Sequence, residues 1–341
     1  MTLITYPTRV HFADDVMQEA LHSELERAGV AAPLLICRSE LNESEFSFRV
    51  REGVPGKTAV QSLLFDEKSD LRDLARTAID LRNTPDALIA FGSARAIELA
   101  RKCRFALTQV TGTRPALYAI PGVDGLPGPC TRNLETWRAG LPTVLICDPT
   151  LTLNADPGQS WRSVVLSLVR CVESYLAQSF NPPADGMALD GVGRSLGMLP
   201  RINSARRGAG GLDLQRDMMA ASLNASLSQE KGVGPALTLA DALAREQRGL
   251  EVPDMARLLL PEIIRRGSVS ADRADMLLKL LGRGQADLGD AMEDVLAGAP
   301  LAASLSDMGV ERATLQQVAQ RTQDKTGLSF EATCDVLAAV Y

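Results

Sequence analysis

Histidine is almost missing from this chain. Among 341 residues there are two, His11 and His22, and none follows. A histidine proton shuttle or an imidazole cluster in the second half is therefore excluded by inventory. Cysteine is sparse and scattered. Cys37, Cys103, Cys130, Cys147, Cys171 and Cys334 form no C-x-x-C pair, which leaves neither a zinc framework nor a dithiol redox motif and points to reduced thiols in a cytoplasmic protein. No apolar run approaches the roughly 18 residues that a membrane helix needs. The N-terminus, MTLITYPTRVHFADD, lacks a basic stretch followed by an apolar core, so no secretory signal is expected. A formal net charge of −6 argues against a nucleic-acid partner.

What is present fits an ordinary globular protein large enough for two domains: 45% hydrophobic residues with 4% aromatics. Residues 1–155 read as an α/β domain. Short apolar runs at Pro33–Cys37, Ala87–Phe91, Ala116–Ile120 and Thr143–Cys147 have the composition of buried parallel strands. Helical spacing appears over Ser69–Leu81 and again from about Ala94 to Cys103. Strands alternating with helices predict a parallel, doubly wound sheet. The turn-rich stretch 154–160, NADPGQS, marks the boundary, and residues 156–341 read as a helical domain. No internal repeat and no low-complexity run is found.

In an open parallel sheet, the turn after a strand such as Ala87–Phe91 is where a dinucleotide binds, because glycines there bring backbone N–H groups to a pyrophosphate. The candidate cofactor positions are Gly92, Ser93, Ala94 and Arg95, each addition of a side chain narrowing the approach. Arg95 has two readings, filling the phosphate pocket or binding the phosphate. A plain helix start is the competing reading.

The helical domain is organised around VVLSLVRCVESYLAQSFNPPADGMALD, residues 164–190. Val165, Leu168, Val169, Val172 and Leu176 make one apolar stripe, and Phe180-Asn181-Pro182-Pro183 ends that helix before a second begins at Ala184. With DALIA, CDPTLTL and ARLLLP, the VESY and NPPADGMALDG segments resemble the iron-containing alcohol dehydrogenases and their maleylacetate reductase relatives. The resemblance spans nearly the whole chain. It implies a Rossmann-like N-terminal domain and an all-α C-terminal domain, the architecture shared with dehydroquinate synthase. It also implies NAD(P)-linked oxidoreduction of alcohols or oxo acids, a cleft between the domains that takes a small molecule, and a homodimer.

The family's functional motifs are another matter. Its four metal-ligand positions fall on Leu166, Arg170, Leu237 and Val252, and the histidine of its catalytic pocket falls on Asp241. Three alkyl groups and a guanidinium cannot coordinate Fe²⁺ or Zn²⁺, so neither metal is expected. In the family's second cofactor loop only Pro121 and Gly125 keep their places, and Pro127 and Pro129 remove two backbone donors. Two functions follow. The first is a metal-free protein, catalytically impaired or serving as a binding or partner subunit. The second is a metal-independent NAD- or NADP-dependent reductase in which Arg170 polarises a carbonyl and Asp241 relays a proton. Under the second, Arg38 would meet an NADP 2′-phosphate. Arg170 has two readings as well: it pairs with Asp241 or Asp254, since a buried guanidinium needs a carboxylate, or it carries its charge out to solvent along its stem.

Overall fold

The computed structural model describes the chain except for residues 1–5, 7, 57–59, 82, 124, 126–137, 205–210, 248, 285 and 299–301. Strands β1 (Arg9–Phe12), β2 (Pro33–Arg38), β3 (Gln61–Phe65), β4 (Ala87–Gly92), β5 (Ala116–Pro121) and β6 (Val144–Cys147) form one sheet in the order β1-β6-β5-β4-β2-β3. Every pairing is parallel, with Ile36 opposite Ala90 and Phe91 opposite Ile120. The central strands are buried on both faces, which is why they read as continuous apolar runs. Leu34, Ile36, Leu88, Ala90, Leu117 and Ala119 face α3 (Leu71–Thr77) and α4 (Ala94–Thr111). The alternate residues Leu35, Cys37, Ile89, Tyr118 and Ile120 face α1 (Met17–Ala28) and α2 (Glu45–Glu52).

After Cys147 the described chain is helical. It runs through α5 (Pro157–Leu176), α6 (Pro182–Ser204), α7 (Gly211–Ser228), α8 (Pro235–Glu246), α9 (Val252–Arg266), α10 (Ala271–Leu281), α11 (Leu288–Ala297), α12 (Arg312–Thr322) and α13 (Phe330–Ala339). The apolar stripe of α5 lies in the largest hydrophobic cluster, with residues of α6 to α9 packed around it. The doubly wound sheet and the helical remainder are both as the sequence predicts. No described helix is long and apolar enough to cross a membrane.

Two strands were not anticipated. β1 and β3 are the sheet's edges, and their mixed exposure gives them no buried apolar run. Helix α4 continues to Thr111 rather than stopping near Cys103, because Leu107 still packs into the sheet cluster. The N-termini of α5 and α6 are both capped by the sequence. Asp156 accepts the Gly158 N–H at 2.9 Å, and Asn181 accepts the Ala184 N–H at 3.2 Å ahead of a helix that opens on Pro182.

Two carboxylates, one buried and one exposed, hold the connections. Asp148, fully buried, accepts the N–H groups of Asp15 (2.9 Å), Met17 (3.2 Å) and Thr150 (3.0 Å) and the Thr150 hydroxyl (2.6 Å). It thereby ties the end of β6 to the start of α1. Asp15 takes a positive φ of 57° beneath this carboxylate. Asp86 does the same at the start of β4, accepting from Ala31 N–H at 2.8 Å and Ala32 N–H at 3.0 Å.

Candidate functional site: the crevice at the carboxyl end of the sheet

The turn after β4 keeps its first glycine for a geometric reason. Gly92 has φ +93°, a region that L-residues rarely adopt, and a Cβ there would come within 2.8 Å of Leu41 Cδ1. Its carbonyl receives the Gly122 N–H, and a Cβ on Gly122 would lie 2.7 Å from that oxygen. Strands β4 and β5 are thus pinched together at the mouth of the crevice. Ser93 stands at the cap of α4 with φ −84° and ψ 157°, so a serine fits where a left-handed residue is not required. Its hydroxyl accepts the Ala96 N–H at 3.2 Å, which removes one donor a phosphate would use. Half-buried Arg95 donates from Nη2 to the Ser69 carbonyl at 2.7 Å, and Ala94 is the first helical residue.

The space beside this turn is bounded on one side by Pro121, Gly122, Val123, Gly125, Cys147 and Thr152. Ser163 of α5 and Gln215, Met218, Met219, Ser222 and Leu223 of α7 close the other side. The cavity measures about 10 Å³, room for one water molecule. Gly125 has φ +65°, and a Cβ there would overlap Ser222 Oγ, so only glycine allows the loop to approach α7 this closely. Two ion pairs flank the contact. Arg216, near the start of α7, binds Asp14 with Nε to Oδ1 at 3.0 Å. Glu230, just past its end, is met by Arg138 at 2.6 Å. Pro127 and Pro129 lie outside the described residues.

Sequence reasoning missed Gln215 and Ser222. Their signal was present but unlabelled: Gln215, Met218, Met219 and Ser222 recur at i, i+3, i+4 and i+7, one face of a helix.

Leu166, Arg170, Leu237 and Val252, the positions to which the resemblance assigns the family's ligands, stand on helices of the second half. Leu166 stands three residues after Ser163 on α5, and Arg170 is 9% exposed one turn further on. Leu237, 5% exposed, belongs to the large hydrophobic cluster, and half-buried Leu166 and Val252 pack against it. Alkyl and guanidinium groups offer no lone pair to a divalent ion. No group of three or more His, Cys, Asp or Glu side chains that could hold a metal occurs among the described residues. These residues do not fit an Fe²⁺ or Zn²⁺ centre.

Glu173 of the VESY segment explains how Leu237 is placed. Its buried carboxylate accepts the Ala236 N–H at 2.6 Å and the Leu237 N–H at 3.4 Å, at the exposed-donor end of α8. A Cβ on Gly234 would overlap this carboxyl group, so the glycine exists to admit it. The remaining acids have partners of their own. Asp254 is gripped by Arg162, Nε and Nη2 reaching its two oxygens at 3.0 to 3.1 Å. Asp241 meets Arg245 at 2.7 Å, and burial, aided by the charge of Glu98, pushes its carboxyl above the ordinary range. Arg38, at the end of β2, is held by Glu40 at 3.2 Å and Glu67 at 3.1 Å.

Comparison with known proteins agrees with this architecture. No family model matches the sequence. A 4-hydroxybutyrate dehydrogenase of Cupriavidus necator is 27% identical over 91% of this chain and 90% of its own length. Maleylacetate reductase of Agrobacterium tumefaciens superposes with a TM-score of 0.80 at 17% identity, covering 100% of this chain and 97% of that one. An alcohol dehydrogenase of Oenococcus oeni gives 0.82 at 16% identity, with 98% of both chains covered. The fold is thus that of the iron-containing alcohol dehydrogenases, shared from end to end, with a sequence likeness to a dehydrogenase that runs almost as far.

Proposed function

We propose that this chain is a metal-free member of the iron-containing alcohol dehydrogenase superfamily whose crevice binds a small ligand without metal-activated hydride transfer. The relatives include a 4-hydroxybutyrate dehydrogenase and a sulfoacetaldehyde reductase in complex with NAD⁺. NAD-linked chemistry on an alcohol or oxo acid is the activity from which this chain departs. The observation that carries the reading is the donor set: Leu166, Arg170, Leu237 and Val252 stand where four ligands would be needed, and the three alkyl groups pack with the helical core. Full burial of such a side chain stabilises the fold by roughly 1.5–3 kcal/mol; Leu237 approaches that limit, and half-buried Leu166 and Val252 gain part of it. The turn at Gly92 adds support, since Ser93 and Arg95 engage groups of the protein itself.

The test is elemental analysis of the purified protein, melting curves with NAD(H) and NADP(H), and nucleotide reduction with 4-hydroxybutyrate. The expected outcome is no stoichiometric iron or zinc, no nucleotide-induced rise in Tm, and no turnover with either metal added. A ligand that binds only the folded state raises Tm. Stoichiometric metal whose removal abolishes turnover would overturn the proposal.

One observation favours a second reading, the metal-independent reductase. Burial raises the Asp241 carboxyl, which suits a group that hands a proton to a carbonyl oxygen as hydride arrives from NADH or NADPH. It predicts metal-free turnover that Asp241→Asn and Arg170→Leu both abolish, together with a clear nucleotide-dependent rise in Tm.

A further inference from the structure

Gln215 is a buried amide with an unused acceptor. The residue is 6% exposed, lies in the second turn of α7 and lines the crevice, yet its Oε1 makes no hydrogen bond. Leaving such an oxygen unmatched destabilises the fold, a debt that an apolar residue at this position would avoid. The neighbouring polar groups are hydroxyls: Ser163, Ser222 and Thr152, the last donating to the Pro149 carbonyl at 2.9 Å. None of the described residues that line the crevice is charged.

This combination selects a ligand chemistry. A carboxylate or phosphate would give up its hydration with no cation to receive it, and would meet the negative end of the Gln215 amide dipole. A neutral N–H or O–H group would satisfy Oε1 and suffer no charge burial. We propose that the crevice is a binding site for an uncharged ligand that presents an amide N–H or alcohol O–H to Gln215 Oε1. The assignment rests on the crevice being the ligand site of a metal-free protein. Admitting a head group larger than water requires the walls to part. Two of those walls are the unbranched thioether side chains Met218 and Met219, which adapt readily to a change of shape. An anionic end of any longer ligand would have to extend outside this space.

The experiment compares near-isosteres. Saturation-transfer NMR titrations with butyramide, butyrate, 1,4-butanediol and 4-hydroxybutyrate are run on the full chain and on Gln215→Leu and Gln215→Met. Butyramide and butanediol are expected to bind at least about tenfold more tightly than the corresponding carboxylates. That preference is expected to vanish in both variants while their melting temperatures stay level or rise, since an orphaned acceptor has been removed. A crystal soaked in butyramide is expected to show its nitrogen within hydrogen-bonding distance of Gln215 Oε1. Equal affinity for butyrate and butyramide, undiminished butyramide binding by Gln215→Leu, or a single water on Oε1 at saturating butyramide would each overturn the proposal. The amide-to-carboxylate ratio does not depend on metal content or nucleotide turnover, so it fails separately from the metal-free reading.

Discussion

Gly234 and Glu173 provide a quantitative test of the contact that fixes α8. Replacing Glu173 by alanine strands two N–H groups at a buried helix start, one bonded at 2.6 Å and one at 3.4 Å. Charge-assisted bonds of this kind contribute roughly 1.5–3 kcal/mol each, and the longer one is weak, so Glu173→Ala is expected to cost about 2–4 kcal/mol. Gly234→Ala drives a methyl group into the carboxyl group. The overlap must move the carboxylate or the backbone, for about 2–3 kcal/mol. The backbone itself raises no objection, since φ −77° and ψ 173° suit any residue. Once Glu173 is alanine, the methyl group therefore has room. Gly234→Ala should then cost under about 1 kcal/mol, offset in part by the lower freedom of the unfolded chain. The double variant should lose about 2–4 kcal/mol where additivity requires roughly 4–7, a coupling of about 2–3 kcal/mol. Equilibrium urea unfolding of the four proteins, followed by far-ultraviolet circular dichroism, measures it. Additive losses, with a coupling below about 0.5 kcal/mol, would refute the packing argument.

Three further outcomes are expected. Burial alone would raise the Glu24 carboxyl, but hydrogen bonds from Arg9, His11 and Arg27 outweigh it and hold the group at about 2. Because that value lies below the ordinary 4.5, the resulting stability is present above pH 4.5 and lost as pH falls toward 2. Glu24→Gln should flatten this part of an acid-unfolding curve by about 1–3 kcal/mol, the half-exposed arginines limiting the gain. Asp241 has the opposite sign. Its carboxyl is raised by burial, so its ionised form burdens the fold as pH rises, and Asp241→Asn should raise Tm at pH 7 more than at pH 3. Asp148→Ala leaves three N–H groups and a hydroxyl without their acceptor and should cost about 3–5 kcal/mol in urea, with Asp148→Asn costing less.

The sequence made the interior of the molecule legible and left its margins obscure. β2, β4, β5 and β6 were readable because a strand buried on both faces must be apolar at every position. β1, with Arg9 and His11 turned to Glu24, carries the polar pattern of an edge and resembles a loop. The candidate site divides along the same line. That Leu166, Leu237 and Val252 offer no metal donor is legible from the sequence, because carbon cannot donate a lone pair whatever the local geometry. That Ser93 caps its helix, that Arg95 turns to Ser69, and that Gln215 holds an idle acceptor depend on distances between segments far apart in the chain. Asp254 illustrates the limit. Its bidentate bond with Arg162, which the spacing of α5 and α9 brings alongside, has no sign in the sequence pattern.

The carboxylates that support the backbone have a further consequence. Asp86, Asp148 and Glu173 each clasp main-chain amides, and Glu173 meets Leu237, one of the four positions Leu166, Arg170, Leu237 and Val252, through its backbone N–H. A contact to a backbone amide does not depend on which side chain that residue carries, so this part of the frame stands apart from the chemistry placed on it. The chain is accordingly a ready host for transplanted chemistry: donor side chains introduced at those four positions would enter a frame whose hinges are already fastened.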